Sequence, residues 1–469
     1  MAQPTPSGKT FDRSIVNGSV PGAVWRLAWP TVLLNVISGL QGIVDHAMVG
    51  HYVGYVGNAA IGVSWQIFLV VIVFITSIFT GMGVLVARFA GADDSDKVNR
   101  TVYQAFLVSA FMVVGVVAPL GYVLSPMLLG LVNATAEVQA EALPYLRIMF
   151  VFGFGLMLFF MLSGALRAAG DARTPMHLGF LLTLLNLVLN VVLIRGLGPI
   201  PAFGTAGAGM GTVIAGAIVS LLGVGLFFRD GLVIRFEHAM SWRPDPAIIR
   251  ALFHFGLPAG IQGVAMNVGG VLLLRFVGSL ELSAEAQAAY TVSYTQLFSL
   301  ITWTSVGLMS AAATVAGQNL GAGRPERTVE GVRVAARLGM AGAALVGLVF
   351  LFFPETLLGV FGMEEPEVVA LSVQLLRYLS VSGLFITVAL TYTGGLQGTG
   401  DTRSPLYISI VSQVVIPIGM CWAIQSWRGL QPADIWLAIL LGHIARCLLS
   451  VARFRQGRWR GIEVGIGGS

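Results

Sequence analysis

Long apolar stretches recur along the whole chain, and they constrain its fold more than any other feature of the sequence. Runs of about 20 apolar residues are long enough to cross the hydrocarbon core of a bilayer as helices. Only 10% of the residues are charged, against roughly 25% in soluble proteins, and the mean hydropathy is +0.83. The sequence therefore predicts an all-α, polytopic membrane protein.

The apolar stretches predict twelve transmembrane helices in two groups of six. A polar linker at 230–249 separates an N-terminal lobe at 23–229 from a C-terminal lobe at 250–456. The flanking segments, 1–22 and 457–469, are predicted to be tails. The predicted helices lie near 23–48, 58–89, 100–125, 139–168, 175–196, 204–229, 250–276, 285–317, 331–353, 367–397, 404–427 and 433–455.

The two groups of helices share an internal repeat. The stretch GALRAAGDARTPM at Gly164–Met176 recurs as GGLQGTGDTRSPL at Gly394–Leu406. We expect the glycine of each GD pair to end a helix in the left-handed conformation, and Thr174 or Ser404 to cap the next helix. Because six crossings bring both copies in from the same side, the repeat predicts a pseudo-twofold axis along the membrane normal.

The charge pattern predicts the orientation of the chain and excludes several classes of function. Basic residues concentrate in the even-numbered connections and the tails, which predicts that both termini face the cytoplasm from an inner (cell) membrane. They are not clustered, so no nucleic-acid partner is expected. No P-loop, HExxH or GxSxG motif is present, and no metal-ligand spacing, so we expect neither an enzyme nor a cofactor. We expect a monomer in the lipid bilayer.

A polar stripe runs along the first predicted helix and ends in the stretch GIVDHAMVG. Thr31, Asn35, Ser38, Gln41 and Asp45 follow one another by three or four residues, so they share one helix face. A carboxylate inside an apolar span is costly, and such residues face the protein interior or a water-filled cavity. We predict that Asp45 titrates and couples the protein to an ion. The alternative is a polar seam between helices with a hydrated Asp45.

Other polar and aromatic residues are candidates for the surroundings of Asp45. Asn186 and Asn190 of the fifth helix and Thr212 of the sixth are predicted to complete its polar network. His46 is either a proton relay or an interfacial side chain. Flexible methionines and aromatic rings suit a cavity that accepts many shapes, with core packing as the alternative. The candidate cavity residues are Met149, Met157, Met161, Tyr290, Tyr294 and Phe298.

In order along the chain, these motifs resemble the MATE (multidrug and toxic compound extrusion) family of secondary transporters. The resemblance rests on GIVDHAMVG, on glycine-alanine turns at Gly91 and Gly321, and on the duplicated GD-x-R-[ST]-P element, and it covers about 23–456. It implies two six-helix lobes around a central cavity. It also implies export of small organic, often cationic, compounds in exchange for inward H⁺ or Na⁺.

The acidic residues indicate which branch of the family the chain resembles. NorM-type members carry acidic residues in the seventh and tenth helices, and the chain has none there. In the DinF-type branch an aspartate of the first helix is the coupling residue, which corresponds to Asp45. That branch often has a second aspartate in the fifth helix, where this chain has Asn186 and Asn190. We expect H⁺-driven export, with a Na⁺-coupled exporter of the same fold or a lipid-linked precursor flippase as alternatives. A passive channel is disfavoured by the duplication.

Overall fold

The structure is a computed structural model that describes residues 11–132, 134–228, 232–236 and 241–465. Parts of the predicted tails and linker, and two residues of the predicted N-terminal lobe, therefore lie outside the described residues, which leave out 1–10, 133, 229–231, 237–240 and 466–469. Within the described ranges the chain is helical, and its one β-type pairing is an isolated bridge between Leu197 and Ile200. This confirms the predicted all-α fold.

Twelve membrane spans make up most of the described chain. Eleven are single helices long and apolar enough to cross a membrane, and one is a pair of helices that meet at 52°. Each predicted helix overlaps one observed span. In chain order, α1 to α12 are Val20–Tyr52, Tyr55–Gly91, Ser95–Leu131, the bent pair Ala136–Phe152 and Phe154–Ala168, Arg173–Arg195, Gly204–Phe227, Pro246–Val277, Ser283–Gly321, Pro325–Phe352, Pro366–Thr399, Arg403–Arg428 and Pro432–Arg455.

Three of these spans contain a short π-helical segment. The segments are Phe111–Val117 in α3, Thr291–Leu297 in α8 and Val411–Val415 in α11. A π segment inserts a residue into the helical turn and redirects the side chains around it, and such segments occur frequently at functional sites. Two of the three lie in the C-terminal half of the chain.

The chain packs into two compact units. Unit 1 consists mainly of Leu33–Gly260, and unit 2 consists of Ser14–Val32 and Ile261–Val464. The division falls inside α1, shortly after Pro30, and inside α7, shortly after Pro258. The predicted lobes follow the sequence repeat and assign each of these helices to one lobe, so they differ from the compact units at α1 and α7. The lobe boundaries and the twofold axis stay predictions.

The duplicated GD-x-R-[ST]-P element forms the tight connection between α4 and α5, and again between α10 and α11. Gly170 has a φ of +102° and Gly400 a φ of +101°. This left-handed conformation is the one that glycine adopts without steric cost. The predicted role of both glycines is confirmed.

The residue that caps the helix after each glycine is the aspartate. Asp171 Oδ1 accepts a hydrogen bond from the Thr174 backbone N–H at 3.0 Å, and Asp171 Oδ2 accepts one from the Thr174 hydroxyl at 2.6 Å. In the second copy, Asp401 accepts the same two bonds from Ser404, at 3.1 and 2.8 Å. The prediction that Thr174 and Ser404 supply the caps is wrong, because their hydroxyls donate to the carboxylates that bind the free backbone N–H groups.

Glycines allow the helices of unit 2 to approach at backbone distance, as is common in membrane proteins. A Cβ atom added to Gly394 of α10 would lie 2.1 Å from the Met309 carbonyl oxygen of α8. A Cβ atom added to Gly342 of α9 would have no atom within 4 Å. The contact between α8 and α10 therefore depends on Gly394 having no side chain.

We predict that Gly394→Val lowers the free energy of unfolding by about 1–3 kcal/mol, the usual cost of overpacking. Gly342→Val is the matched control, because it carries the same change in helix propensity into open space. Thermal unfolding of the two purified variants in detergent measures the difference. Equal losses of stability in both variants would contradict this account of the packing.

Candidate functional site

Asp45 lies on α1, about two turns before the helix ends at Tyr52. The observed helix continues beyond the predicted end near residue 48, so Asp45 lies deeper in the helix than the sequence indicated. Its side chain belongs to unit 1 and is half-buried. The carboxylate is therefore positioned by regular helix inside an apolar span.

The carboxylate of Asp45 is hydrogen-bonded to the fifth helix. Asn190 Nδ2 donates to Asp45 Oδ1 at 2.7 Å, and it also lies 3.2 Å from Asn186 Oδ1. Asn186 Nδ2 lies 3.1 Å from Thr212 Oγ1, which donates to the Ala208 carbonyl oxygen. The predicted partners on α5 and α6 thus form one chain of contacts with Asp45.

A rotation of the Asn186 amide by 180° gives an alternative set of hydrogen bonds, in which the Thr212 hydroxyl donates to Asn186 and no longer to the Ala208 carbonyl oxygen. The Asn186 nitrogen then donates to Asp45 Oδ1 at 3.1 Å, and its oxygen accepts from the Thr212 hydroxyl at 3.1 Å and the Thr212 backbone N–H at 3.3 Å. In this orientation two amide N–H groups, from Asn186 and Asn190, are directed at the same carboxylate oxygen. Both amides are buried, with side chains at most 1% exposed.

The rest of the predicted stripe on α1 lies along the same site. Gln41 also hydrogen-bonds to the carboxylate, and its Oε1 accepts a hydrogen bond from the Thr183 hydroxyl at 2.8 Å. Ser38 contributes to the cavity wall beside Gln41. Asn35 lies half-buried, about one turn before Ser38. The helical periodicity thus places the stripe correctly, although direct contact with Asp45 is limited to its nearest members.

A cavity of about 230 Å³ lies beside Asp45 within unit 1. Its polar wall includes Ser38, Gln41, Asp45, His46 and Thr212, and the remaining wall is apolar or aromatic. The aromatic side chains in the wall are Trp65, Tyr145, Phe159 and Phe160. The arrangement is a small aromatic chamber with a single carboxylate in its wall.

His46 lies at the same cavity as Asp45. Its Nδ1 forms a short hydrogen bond with Asn58 Oδ1 of α2. With the proton on Nδ1 as donor to Asn58, the other ring nitrogen is an acceptor. His46 therefore lines the chamber and is bonded to α2, and no hydrogen bond between His46 and Asp45 is seen among the described residues.

Most of the cavity wall was not predicted from the sequence. Phe159 and Phe160 of α4 lie in a continuous apolar stretch, where an aromatic residue gives no sign of facing lipid, core or cavity. Trp65 of α2 stands between Ser64 and Gln66, and these polar neighbours are the one local signal that could have indicated it. Asn58 and Gly211 were missed as well. A Cβ atom on Gly211 would lie 2.1 Å from Asn190 Oδ1, so this glycine leaves room for the amide that holds Asp45.

The methionines predicted to line a substrate cavity do not reach this one. Met149, Met157 and Met161 are at most 1% exposed and pack in the interior of unit 1. Their spacing places them on the face of α4 that packs against neighbouring helices, and Leu156 and Phe159 of the same helix face the cavity instead. The predicted cavity role is not supported for the three methionines.

The predicted aromatic residues of α8 lie in unit 2, as part of its hydrophobic core. Tyr290 stacks on Tyr294 at a centroid distance of 5.0 Å, and Tyr294 stacks on Phe298 at 5.5 Å. All three belong to one cluster of packed side chains. Within the described ranges, no group of three or more His, Cys, Asp or Glu side chains could hold a metal ion.

The family model and the similar proteins that match this chain all indicate one family. A family model described as MatE matches residues 30–192 and 258–423. The probable multidrug resistance protein NorM of Thermotoga maritima is 26% identical over 437 residues, which are 92% of each chain. The multidrug resistance protein MdtK of Pectobacterium atrosepticum is 28% identical over 447 residues, covering 92% of this chain and 94% of that protein.

A solved structure shows the same fold. It is described as the outward-facing conformation of a multidrug resistance MATE family transporter of the MOP superfamily. It matches with a TM-score of 0.89 at 20% identity and covers 97% of this chain and 100% of that chain. The relatives bear NorM and MdtK names, so assignment to the DinF-type branch stays a prediction that rests on the position of Asp45.

We predict that Gly211→Ala lowers the free energy of unfolding by about 1–3 kcal/mol, because the new methyl group displaces the Asn190 amide from Asp45. The loss should be much smaller in an Asn190→Ala background, where the space is free. Gly225→Ala on the same helix is the control, since its Cβ atom would have no neighbour within 4 Å. Thermal unfolding of the four variants tests the contact, and an equal loss in both backgrounds would contradict it.

Proposed function

Because the chain belongs to the MATE family of multidrug and toxic compound extrusion transporters, we propose that it is a secondary active antiporter, not an enzyme, which exports organic cations in exchange for external H⁺. The observation that carries this proposal is Asp45, one carboxylate in the wall of an aromatic cavity and held by the Asn190 amide at 2.7 Å. A single acid in such a cavity can bind either a proton or a cationic compound. Competition between the two for Asp45 couples their movements.

The donors around Asp45 favour H⁺ over Na⁺ as the coupling ion. Asn190 Nδ2 donates to the carboxylate, and the rotated Asn186 amide donates to the same oxygen. A hard cation is bound by several oxygen ligands. Amide N–H groups occupy the positions next to the carboxylate where such oxygens would have to stand. A proton can be accepted by the carboxylate without that rearrangement. A Na⁺-coupled exporter of the same fold is the alternative.

The aromatic wall supports an organic cation as the substrate. Trp65, Tyr145, Phe159 and Phe160 surround the space beside the Asp45 carboxylate. Aromatic faces attract cations, and the attraction is larger when the cation is desolvated. A volume of about 230 Å³ accommodates part of a drug-sized molecule, so we propose that the charged end of the substrate enters this chamber.

A conformational change in α1 links protonation of Asp45 to release of the bound compound. Protonation from outside removes the charge of Asp45, and hydrogen bonds to a neutral group are roughly half as strong as those to an ion. The contact with Asn190 then weakens. Pro30 lacks a backbone donor, and Gly39 and Gly42 add local freedom, so α1 can bend or shift and displace the bound compound. Deprotonation toward the cytoplasm resets the site.

Competing transport functions fit the cavity less well. A lipid-linked precursor flippase requires cationic side chains for its anionic substrate, and the wall of the cavity beside Asp45 contains no arginine or lysine. A passive channel does not require a titratable carboxylate that lines a small cavity and is bonded to a buried amide. We propose that the protein acts as a monomer in the inner membrane, with both termini in the cytoplasm.

We predict that Asp45→Asn abolishes export of tetraphenylphosphonium driven by an imposed pH gradient in proteoliposomes. The asparagine is nearly isosteric but accepts no proton, so exchange should fall to the level of protein-free liposomes. Asp96→Asn is the matched control, because Asp96 is an exposed acid in the first turn of α3. The control should export at the wild-type rate.

Parallel assays with an imposed Na⁺ gradient separate the two coupling ions. We expect no Na⁺-driven export in wild type at constant pH. Export that follows the Na⁺ gradient, or pH-driven export that survives Asp45→Asn, would contradict the proposed mechanism.

We predict that Trp65→Ala weakens tetraphenylphosphonium binding by about 2-fold to 30-fold, which corresponds to a cation–π contribution of roughly 0.5–2 kcal/mol. Trp422→Ala is the control, since Trp422 of α11 is 67% exposed. Equilibrium binding to the purified proteins measures the effect. A loss of the same size for a neutral compound of similar shape would show that the ring contributes area only.

A further inference from the structure

An open groove of unit 1 lies between α3 and the first helix of the bent pair α4. Its volume is about 590 Å³, within the range of roughly 300–1,000 Å³ that is usual for small-molecule sites. Two of its apolar side chains, Val123 and Phe152, are 69% and 63% exposed, so the groove can be reached from outside the protein. The lining residues are Ala118, Pro119, Tyr122, Val123, Arg147, Ile148, Val151 and Phe152. Lipid tails are as apolar as such a wall, so a membrane span can present it to the bilayer.

Arg147 is the charged residue among those that line the groove, and Tyr122 holds it there. Arg147 Nε donates to the Tyr122 carbonyl oxygen at 3.4 Å, and Arg147 Cζ lies 4.3 Å from the centroid of the Tyr122 ring. In a regular helix this carbonyl would accept from the backbone N–H of residue 126, which is Pro126 and has no N–H. The proline in α3 therefore frees the acceptor that fixes the guanidinium in the groove.

Most hydrogen-bond donors of Arg147 are not used within the described protein. A guanidinium has five N–H groups, and the contact with Tyr122 uses the one on Nε. Among the described residues no carboxylate forms an ion pair with Arg147. A charged side chain at membrane depth is costly unless an anion neutralises it. The two terminal nitrogens form a planar fork that matches a phosphate group.

The level of Arg147 along the helices corresponds to the level of lipid phosphates. Tyr122 lies about 14 Å beyond the midpoint of α3, which spans Ser95–Leu131, at a rise of 1.5 Å per residue. Half of the hydrocarbon core is about 15 Å thick. With α3 centred in the bilayer, the guanidinium lies where acyl chains meet head groups. In the predicted orientation of the chain, this is the outer leaflet.

The internal repeat offers a comparison within the same chain. The offset that aligns Gly164 with Gly394 also aligns Arg147 of α4 with Arg377 of α10. Arg377 is exposed, but within the described ranges its guanidinium lacks the two anchoring contacts that Arg147 makes. The same offset places Thr356 opposite the proline of α3, so the second copy does not free a carbonyl in this way. The anchored arginine is therefore a feature of the first copy.

We propose that the groove binds one anionic phospholipid, whose phosphate pairs with the Arg147 guanidinium and whose acyl chains extend along the apolar wall. The charges of the wall determine the class of lipid. The described residues that line the groove include no acid, so nothing in the wall pairs with the ammonium group of a zwitterionic lipid. Phosphatidylglycerol, which has no ammonium group, fits this wall better than phosphatidylcholine. None of the lining residues belongs to the cavity beside Asp45, so the site does not depend on the coupling of the antiporter to H⁺.

Native mass spectrometry of the purified full-length protein, titrated in detergent with dioleoylphosphatidylglycerol or dioleoylphosphatidylcholine, tests the proposal. We expect the first phosphatidylglycerol to bind saturably and at least about tenfold more tightly than phosphatidylcholine, since its hydrogen bonds to the guanidinium are charge-assisted and cost no unpaired ammonium group. Arg147→Met should lower the affinity for phosphatidylglycerol to that for phosphatidylcholine. Arg147→Lys keeps the charge but not the planar fork, and it should retain a weaker preference.

Two further variants separate the groove from general attraction of anionic lipid. Arg377→Met makes the same chemical change at the corresponding position of the second copy and should keep the full preference. Ala118→Phe fills the groove without changing its charge, should weaken the binding of both lipids, and tests the site even if Arg147→Met does not fold.

The Asp45→Asn protein should bind phosphatidylglycerol as wild type does, so failure of the antiport mechanism leaves this result unchanged. Equal affinity of wild type for the two lipids overturns the proposal. So does an unchanged preference in Arg147→Met, an equal loss in Arg377→Met, or undiminished binding of phosphatidylglycerol by Ala118→Phe.

Discussion

The bilayer requires every backbone N–H and C=O group within its apolar core to be satisfied by the protein itself, and the rest of the structure follows from that requirement. Helices satisfy these groups locally, which is why the described chain is built from twelve helical spans. Breaks in the pattern occur at few places, such as the 52° bend of α4 and the three π segments. Apolar side chains can face lipid. Polar side chains inside a span cannot form hydrogen bonds with lipid tails, so they must find partners within the protein.

The two units meet this requirement differently. In unit 1 the acid inside a span is the half-buried Asp45, and neutral amides on α5 donate to it. In unit 2 the buried charged side chains include Arg446, Asp401 and Asp434, and each of the two acids forms an ion pair with another arginine. The duplicated hairpins have kept almost the same geometry, as Gly170 and Gly400 show. The repeat has therefore preserved the connections that build the fold, while the interior polar residues of the two copies have diverged in charge.

Features that depend on local sequence could be predicted. The length of the apolar stretches predicts the helices, and the spacing of polar residues places Asn190 and Asp45 on polar helix faces. Both patterns depend only on residues that are close in sequence. The cavity wall depends instead on how helices pack. Phe159 and Met157 lie in the same apolar stretch, yet Phe159 lines the cavity and Met157 is buried in the core. The depth of a side chain is not given by the local sequence either: Arg446 precedes several exposed arginines at the end of the chain, and only packing shows that it is buried.

An asparagine opposite Asp45 gives the proposed exchange a particular chemistry. Asn190 has both a donor and an acceptor, and its Oδ1 has no hydrogen-bond partner in the structure. The ionised carboxylate takes the amide N–H, as observed at 2.7 Å. A protonated carboxyl group carries a donor of its own, which an amide oxygen can accept after rotation. A second aspartate would instead add a second titrating charge beside the first. With Asn190, the site changes by one charge per cycle, and a cationic substrate competes for that charge alone.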